Sequence, residues 1–309
     1  MIPLITIEGA TASGKSALAL VLAEELNSQI ISADSRQVYK FLDIGTAKPS
    51  PEELDRVPHH LISIITPDQN YNAGRFIADA ETVISSQQAM GVIPVICGGT
   101  GLYIASLLKG LFSLPSIDIQ IRQQLVERME SEGLPVLYRE LETVDPQFAG
   151  RISSNDKQRI LRGLEVFHAT GIPLSEHWQK QQNLQRYRCF RILLDLPRPL
   201  LYARINQRIV RMLEKGLLHE IEAVLNRGYS PDCPGLNSLG YKEFIPHLCL
   251  GADLSLCLDR AAQHSRNYAK RQCTWYRKYK FDLTLSDPDF ILSNITGKVN
   301  AWIEKENLV

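Results

Sequence analysis

Three clusters in this sequence have the residue types and spacing to do chemistry. The first is Gly9-Ala10-Thr11-Ala12-Ser13-Gly14-Lys15-Ser16, which fits the pattern G-x-x-x-x-G-K-S/T. Glycines at these positions let backbone N–H groups turn inward on phosphate oxygens, and a following helix N-terminus adds partial positive charge. Lys15 supplies a point charge and Ser16 a hydroxyl for Mg²⁺. The second cluster is Asp34-Ser35-Arg36-Gln37, just past a short apolar run. Taken alone, Asp34 suits a general base, a metal ligand or a helix N-cap equally well. The third is Gly98-Gly99-Thr100-Gly101, where Thr100 is either a reactive contact or the cap of the next helix. What favours chemistry at both Asp34 and Thr100 is the edge they share with the phosphate loop.

That shared edge follows from the elements around the clusters. "PLITI", "QIISAD" (ending at Asp34) and "VIPVIC" are short apolar runs suited to buried parallel strands. After the glycine loop, Leu18, Val21, Leu22 and Leu26 recur at helical spacing. Strand, loop and helix repeated in this way predict a parallel α/β sheet flanked by helices, with ligands outside the carboxyl ends of the strands. From 115 to 185 the texture turns helical, with "IQIRQQLVERMESEG", "PVLYRELETVD" and "DKQRILRGLEVFHATG". "CFRILLDL" then resumes the sheet. The expected organisation is therefore a first part of the core over 1–114, an all-helical insertion over 115–185 and the remainder of the core over 186–309.

Several features limit the function classes. Formal net charge is zero, so only local clustering can point to nucleic acid. It does so between Arg260 and Lys280, where seven cations include Arg266, Lys270 and Arg271, with no acid between and with Tyr268, Trp275, Tyr276 and Tyr279 interleaved. Cations match phosphate backbones and aromatic rings stack on unpaired bases. Arg204, Arg208 and Arg211 form a second stripe at helical spacing, suited to a diphosphate or to nucleic acid. Six scattered cysteines fit neither a zinc site nor a disulfide framework, and a reducing cytoplasm with no secretory leader is expected. The apolar run Gly91–Phe112 is broken by Pro94 and the Gly98–Gly101 turn, so no membrane span is expected. His59 and His60 are expected at the surface or in a turn. Asp195, ending "ILLD", is the candidate Mg²⁺-binding acid if the chain is a nucleotide hydrolase.

Together the segments "GATASGKSALA", "ISADSRQVYKFLDIGTAKP", "PHHL", "YNAGRF", "VICGGTGLYI", "NDKQRILRGLEVF", "GIPLSE", "LYARINQRIVRML", "GYKEF" and "YAKRQCTWYRK" resemble the tRNA dimethylallyltransferases, also called tRNA isopentenyltransferases, along nearly the whole chain. The chain departs from that pattern at Ser63 and Thr66, where acids are more usual, and at Asn237, where glutamine is. The resemblance implies a P-loop NTPase-like core with a helical insertion. It implies transfer of the dimethylallyl group of dimethylallyl diphosphate to the exocyclic amine of the adenosine 3′ of the anticodon, with release of diphosphate. Asp34 would be the general base and Thr100 a diphosphate and substrate contact. The diphosphate would be held by the loop from Gly9 to Ser16 together with Arg208, with Mg²⁺ on Ser16. The acceptor base would have to leave its stack to reach a buried site. The anticodon stem-loop would meet Asp34, Ser35, Arg36, Gln37, Thr100, Arg122, Gln158, Arg159, Ile160, Leu161 and Arg162, with the basic helix expected to add Arg266, Lys270 and Arg271. A cytoplasmic monomer is expected. The rivals are a P-loop kinase or NTPase using Asp195, an isopentenyltransferase acting on free adenylate, and a tRNA-binding protein without catalysis.

Overall fold

The computed structural model describes residues 1–110, 117–179, 186–286 and 292–306. The chain divides into two compact units, Met1–Leu108 with Gln185–Val309, and Lys109–Leu184. The boundary anticipated between 114 and 115 and residue 185 of the other lie outside the described residues.

The first unit is built on a six-stranded sheet of β1 (Ile2–Gly9), β2 (Ile30–Ser32), β3 (His59–His60), β4 (Val95–Gly98), β5 (Tyr187–Leu194) and β6 (Leu283–Leu285), in the order β3-β2-β4-β1-β5-β6. Every pairing is parallel. β1 lies inside the sheet, between β4 and β5, with buried apolar side chains on each face. Ile5 and Ile7 pack with α1 (Lys15–Glu25), while Leu4 packs on the opposite face beside Ile31 and Ile96. That opposite face is covered by Phe76 and Ala80 of a helix at Ala73–Ala89 and by Tyr103, Ile104 and Leu107 of a helix at Gly101–Lys109. Leu4, Ile5 and Ile7 are 0 % exposed, and each buried side chain of this size contributes about 1.5–3 kcal/mol by transfer from water. A third cluster joins Ile205 and Ile209 of a helix at Arg198–Glu214, Ile221 of a helix at Leu217–Asn226 and Ala261 and Ala269 of a long helix at Leu254–Tyr276 to Tyr39, Leu42, Tyr241 and Phe244.

Strand β3 escapes the sequence pattern, and β2 is shorter than it suggests. His59 and His60, expected at the surface or in a turn, form this edge strand and are half-buried. His59 Nδ1 pairs with the Val57 carbonyl at 2.8 Å and His60 Nε2 with Gln29 Oε1 at 2.7 Å. Burial lowers the pKa of both rings. β2 ends at Ser32, so Asp34 stands in the loop beyond the strand and not at its last residue.

The second unit is all helical, with helices at Ile119–Glu132, Leu134–Val144, Pro146–Ala149, Lys157–Thr170 and Leu174–Gln179. Its core contains Leu125, Leu137, Leu141, Leu164 and Phe148. Asp145 locks one corner, its Oδ1 accepting from the Phe148 N–H at 3.0 Å and its Oδ2 from the Ser175 N–H at 2.9 Å. Ile160 and Leu161, expected among the tRNA contacts, belong to this core at 0 % and 1 % exposure. The helical period turns them inward while Gln158, Arg159 and Arg162 face out, so their side chains hold the unit together and cannot reach a partner.

Candidate active site

β1 delivers the phosphate loop at its carboxyl end. Gly9 is obligatory there, since a Cβ would sit 2.8 Å from Ser13 Oγ and 2.9 Å from the Leu194 carbonyl oxygen. Ala12 is left-handed at φ 63°, an unusual conformation for a residue with a Cβ. Gly14, at φ 96°, is the N-cap of α1, and no side chain caps that helix end. The first-turn amides of Lys15 and Ser16 are therefore in place for an anion. Lys15 Nζ donates to the Ala10 carbonyl at 3.3 Å, and burial lowers its pKa, opposed by nearby Asp34. Arg208 of the helix at Arg198–Glu214 donates from Nη1 to Thr11 Oγ1 at 3.4 Å, and burial lowers its pKa as well. Two partly buried cations thus stand beside an open helix N-terminus, an arrangement that a multiply charged phosphate group relieves. Arg204 lies one helical turn from Arg208, its Nη1 3.9 Å from where a Gly14 Cβ would be.

The Asp34 loop and the Thr100 turn are stitched to each other. The Ala33 N–H donates to the Cys97 carbonyl at 2.8 Å and the Thr100 N–H to the Ala33 carbonyl at 3.2 Å. Thr100 Oγ1 accepts from the Ser35 N–H at 3.1 Å. Asp34 Oδ1 accepts from the backbone N–H of Arg36 at 2.8 Å and of Gln37 at 3.4 Å, which fixes the carboxylate. Asp34 lies within electrostatic reach of Lys15 and Arg208, so the candidate proton acceptor and the phosphate cations share one site. Arg36 Nη1 donates to the Pro234 carbonyl at 3.2 Å. Gln37 is turned inward: its Oε1 accepts from Ser32 Oγ at 2.8 Å and its Nε2 donates to the Ala47 carbonyl at 3.0 Å. Its side chain braces the loop and stays partly exposed.

The long helix at Leu254–Tyr276, hereafter the basic helix, lies directly over this edge. A Cβ on Gly101 would meet Trp275 Nε1 at 2.2 Å, and one on Gly99 would meet Gln272 Nε2 at 2.6 Å. The glycines of the Gly98–Gly101 turn are thus required by close packing as well as by the turn. Tyr268 neighbours Thr100, and burial with Asp34 nearby pushes its phenol up to about 12. One face of the basic helix holds Tyr268, Gln272 and Trp275 against the loop and the turn, and the other carries exposed Lys270 and Arg271. Asn267, Lys270, Arg271, Thr274, Trp275 and Lys278 line an open groove there. Arg271 sits over the Tyr268 ring, 5.7 Å from its centroid, and Arg266 donates to Asn206 Oδ1 at 2.7 Å.

Sequence reasoning missed Gln272, the inward direction of Tyr268 and one buried ion pair. Glu8, 1 % exposed at the end of β1, accepts from Arg191 Nε at 2.9 Å and Nη2 at 3.0 Å, and from Thr6 Oγ1 at 2.9 Å. Its oxygens are engaged in this pairing beneath the loop. Arg191 in turn stacks 4.5 Å from the centroid of Phe281. Asp195 is exposed one residue beyond β5, its N–H donating to the Leu285 carbonyl at 2.9 Å. In the helical unit, Arg122 and Arg162 both pair with buried Glu165, Arg162 at 3.3 Å, and Arg159 pairs with Asp156 at 3.2 Å. Glu165 anchors two of the expected cations while leaving their side chains about half exposed, at 51 % and 47 %.

Among the described residues no group of three or more His, Cys, Asp or Glu side chains converges as a metal site. Mg²⁺ does not need one, because beside a phosphate ligand it takes few protein oxygens and keeps waters. Ser16, in the first turn of α1 with its hydroxyl against the Cys97 thiol, fits that role. No described helix is long and apolar enough to cross a membrane.

A family model described as IPP transferase matches residues 37–279. The chain is 44 % identical over 278 residues to the tRNA dimethylallyltransferase of Syntrophobacter fumaroxidans, covering 89 % of this chain and 81 % of that protein. It is 45 % identical over 276 residues to the tRNA dimethylallyltransferase of Geobacter sulfurreducens, covering 89 % of each. Among solved structures, the full-length tRNA isopentenylpyrophosphate transferase of Bacillus halodurans superposes with a TM-score of 0.72 at 33 % identity, covering 99 % of this chain and 98 % of that one. A eukaryotic dimethylallyltransferase acting on tRNA superposes with a TM-score of 0.85 at 28 % identity, covering 99 % of this chain and 80 % of that one.

Proposed function

The chain belongs to the IPP transferase family, and from that premise we infer that it transfers the dimethylallyl group of dimethylallyl diphosphate to the exocyclic amine of the adenosine 3′ of the anticodon in tRNA, releasing diphosphate. The observation that carries this reading is the placing of Asp34 within electrostatic reach of two partly buried cations, Lys15 and Arg208, at the uncapped end of α1. The cations suit a leaving phosphate group and the carboxylate suits the proton of the attacking nucleophile. A displacement with a diphosphate leaving group uses both.

The roles follow from the chemistry. The amine nitrogen forms a bond to the allylic carbon as the bond from that carbon to the diphosphate oxygen breaks, and the amine proton passes to the Asp34 carboxylate. An amine conjugated to a purine is a weak nucleophile, so the transition state has allyl-cation character and leaving-group stabilisation carries most of the catalysis. Lys15, Arg208 and the loop amides supply it, with the diphosphate held over Gly9-Ala10-Thr11-Ala12-Ser13-Gly14. Thr100, held by the Ser35 N–H, marks where donor and acceptor meet. The Ser16 hydroxyl would hold a Mg²⁺ ion, which would supply further neutralisation of the diphosphate charge. The anticodon stem-loop is gripped by Arg122, Gln158, Arg159 and Arg162 and by the exposed face with Lys270 and Arg271. The chain acts as a monomer in the cytoplasm.

The test supplies labelled dimethylallyl diphosphate with either tRNA or AMP as acceptor. Label appears in tRNA alone. Label in AMP would instead identify a free-adenylate enzyme and leave the helical unit without a partner.

A further inference from the structure

We propose that Gln272 is a positioning residue that sets the spacing between the phosphate loop and the Thr100 turn; this rests on reading the loop as the diphosphate grip. Gln272 is 6 % exposed on the inner face of the basic helix. Its Oε1 accepts from the Thr11 N–H at 2.9 Å, and its Nε2 donates to the Gly99 carbonyl at 2.8 Å. Thr11 lies two residues beyond β1 and Gly99 one beyond β4, and these strands are adjacent, with Glu8 opposite Gly98. A single carboxamide therefore spans the mouths of the two strands whose loops carry Lys15 and Thr100.

The chemistry of the bridge is specific. One end meets a donor and the other an acceptor, so the amide orientation is fixed and a flipped amide would face two like partners. Asparagine is one methylene too short, and the space a Gly99 Cβ would need is filled by Nε2 itself. The Lys15 ammonium lies at the same place, 3.5 Å from that Cβ position. The Thr11 amide is taken up by Gln272, so the phosphates meet the amides further along, at the start of α1. Because Gln272 is buried, it acts on the donor site through Thr11 and Gly99 and does not itself touch tRNA.

Two substitutions separate this role from simple packing. Gln272→Met keeps the length and removes both hydrogen bonds. Gln272→Glu keeps the acceptor toward Thr11 and turns the other end against the Gly99 carbonyl unless the carboxyl is protonated. Dimethylallyl diphosphate affinity is measured by equilibrium binding beside the KM for donor and for tRNA, with melting temperatures for each protein. Expected is a donor Kd and KM raised about tenfold in Gln272→Glu, the size of one lost hydrogen bond between positioned groups, and by more in Gln272→Met, which loses two, with the tRNA KM within about twofold of wild type. Relative to wild type, the Gln272→Glu defect shrinks toward acid pH and the Gln272→Met defect does not. Unchanged donor Kd in folded variants overturns the proposal, as does a loss explained wholly by unfolded protein. If Gln272→Met does not fold, the pH profile of Gln272→Glu decides, a flat profile counting against the bridge. A wild-type chain that binds the donor but transfers nothing to tRNA refutes the proposed function and leaves the Gln272 test standing on Kd; one that binds no donor refutes both.

Discussion

Gly98 offers the sharpest perturbation of the reacting geometry without touching any reacting group. A Cβ there would lie 2.1 Å from the Ala33 carbonyl oxygen and 2.4 Å from its carbon. Both are backbone atoms, so no rotamer change relieves the contact. Reaching an ordinary 3.4 Å separation requires the Ala33 peptide to move by more than 1 Å. That same carbonyl accepts from the Thr100 N–H at 3.2 Å, and Asp34 is the next residue. Gly98→Ala therefore drives Asp34 and Thr100 apart. A misplacement of this size in a reacting pair costs about 10²-fold in rate, and an overpacked contact costs about 1–3 kcal/mol of stability. The assay is prenyl transfer at saturating donor and tRNA, corrected for the folded fraction from a thermal melt. The expected result is a kcat lower by about two orders of magnitude with a melting temperature a few degrees lower. A folded variant with kcat within threefold of wild type would refute the coupling of β4 to the Asp34 loop.

Asp34→Asn is expected to slow transfer by about 10²–10⁴-fold, the range for a positioned base, while tRNA affinity in a filter-binding assay stays near wild type; turnover close to wild type would remove Asp34 from that role. Replacing Lys270 and Arg271 by alanine lowers the slope of log tRNA affinity against log salt by about one per cation. Because Arg271 lies over Tyr268 beside Thr100, only its loss also raises the donor KM, and an unchanged salt slope would move the tRNA footprint to Arg122, Arg159 and Arg162. Burial lowers the Lys15 pKa from its ordinary 10.5, and a bound diphosphate favours the ammonium. Donor affinity therefore falls as pH rises, starting below the usual lysine range, and an equilibrium affinity that increases with alkaline pH contradicts the grip.

The phosphate loop was legible because its determinants are local. Gly9, Gly14 and Lys15 sit at fixed offsets between an apolar strand and a helix, and the structure keeps them there. β2, β4 and the helical unit were legible from hydrophobic runs and periodicity. β3 and β6 were not, because two or three residues carry no period. Gln272 and Tyr268 stood inside a recognisable basic segment, but their inward direction depends on contacts across 173 residues, such as Gln272 with Gly99. A separation of 183 residues likewise hid the partner of Glu8. Ile160 and Leu161 are a different case: their neighbours at helical spacing, Leu164 among them, were apolar in the sequence, and a face-by-face reading would have put them in the core.

The central claim is that this phosphate loop serves a leaving diphosphate and not a nucleotide to be hydrolysed. The direct measurement is the phosphate product released by the purified chain with tRNA, supplied in turn with dimethylallyl diphosphate and with ATP. One diphosphate released per prenylated adenosine, and no orthophosphate from ATP, is the predicted result. Orthophosphate formed from ATP without tRNA, lost on substitution of Asp195, would contradict the account and restore the hydrolase.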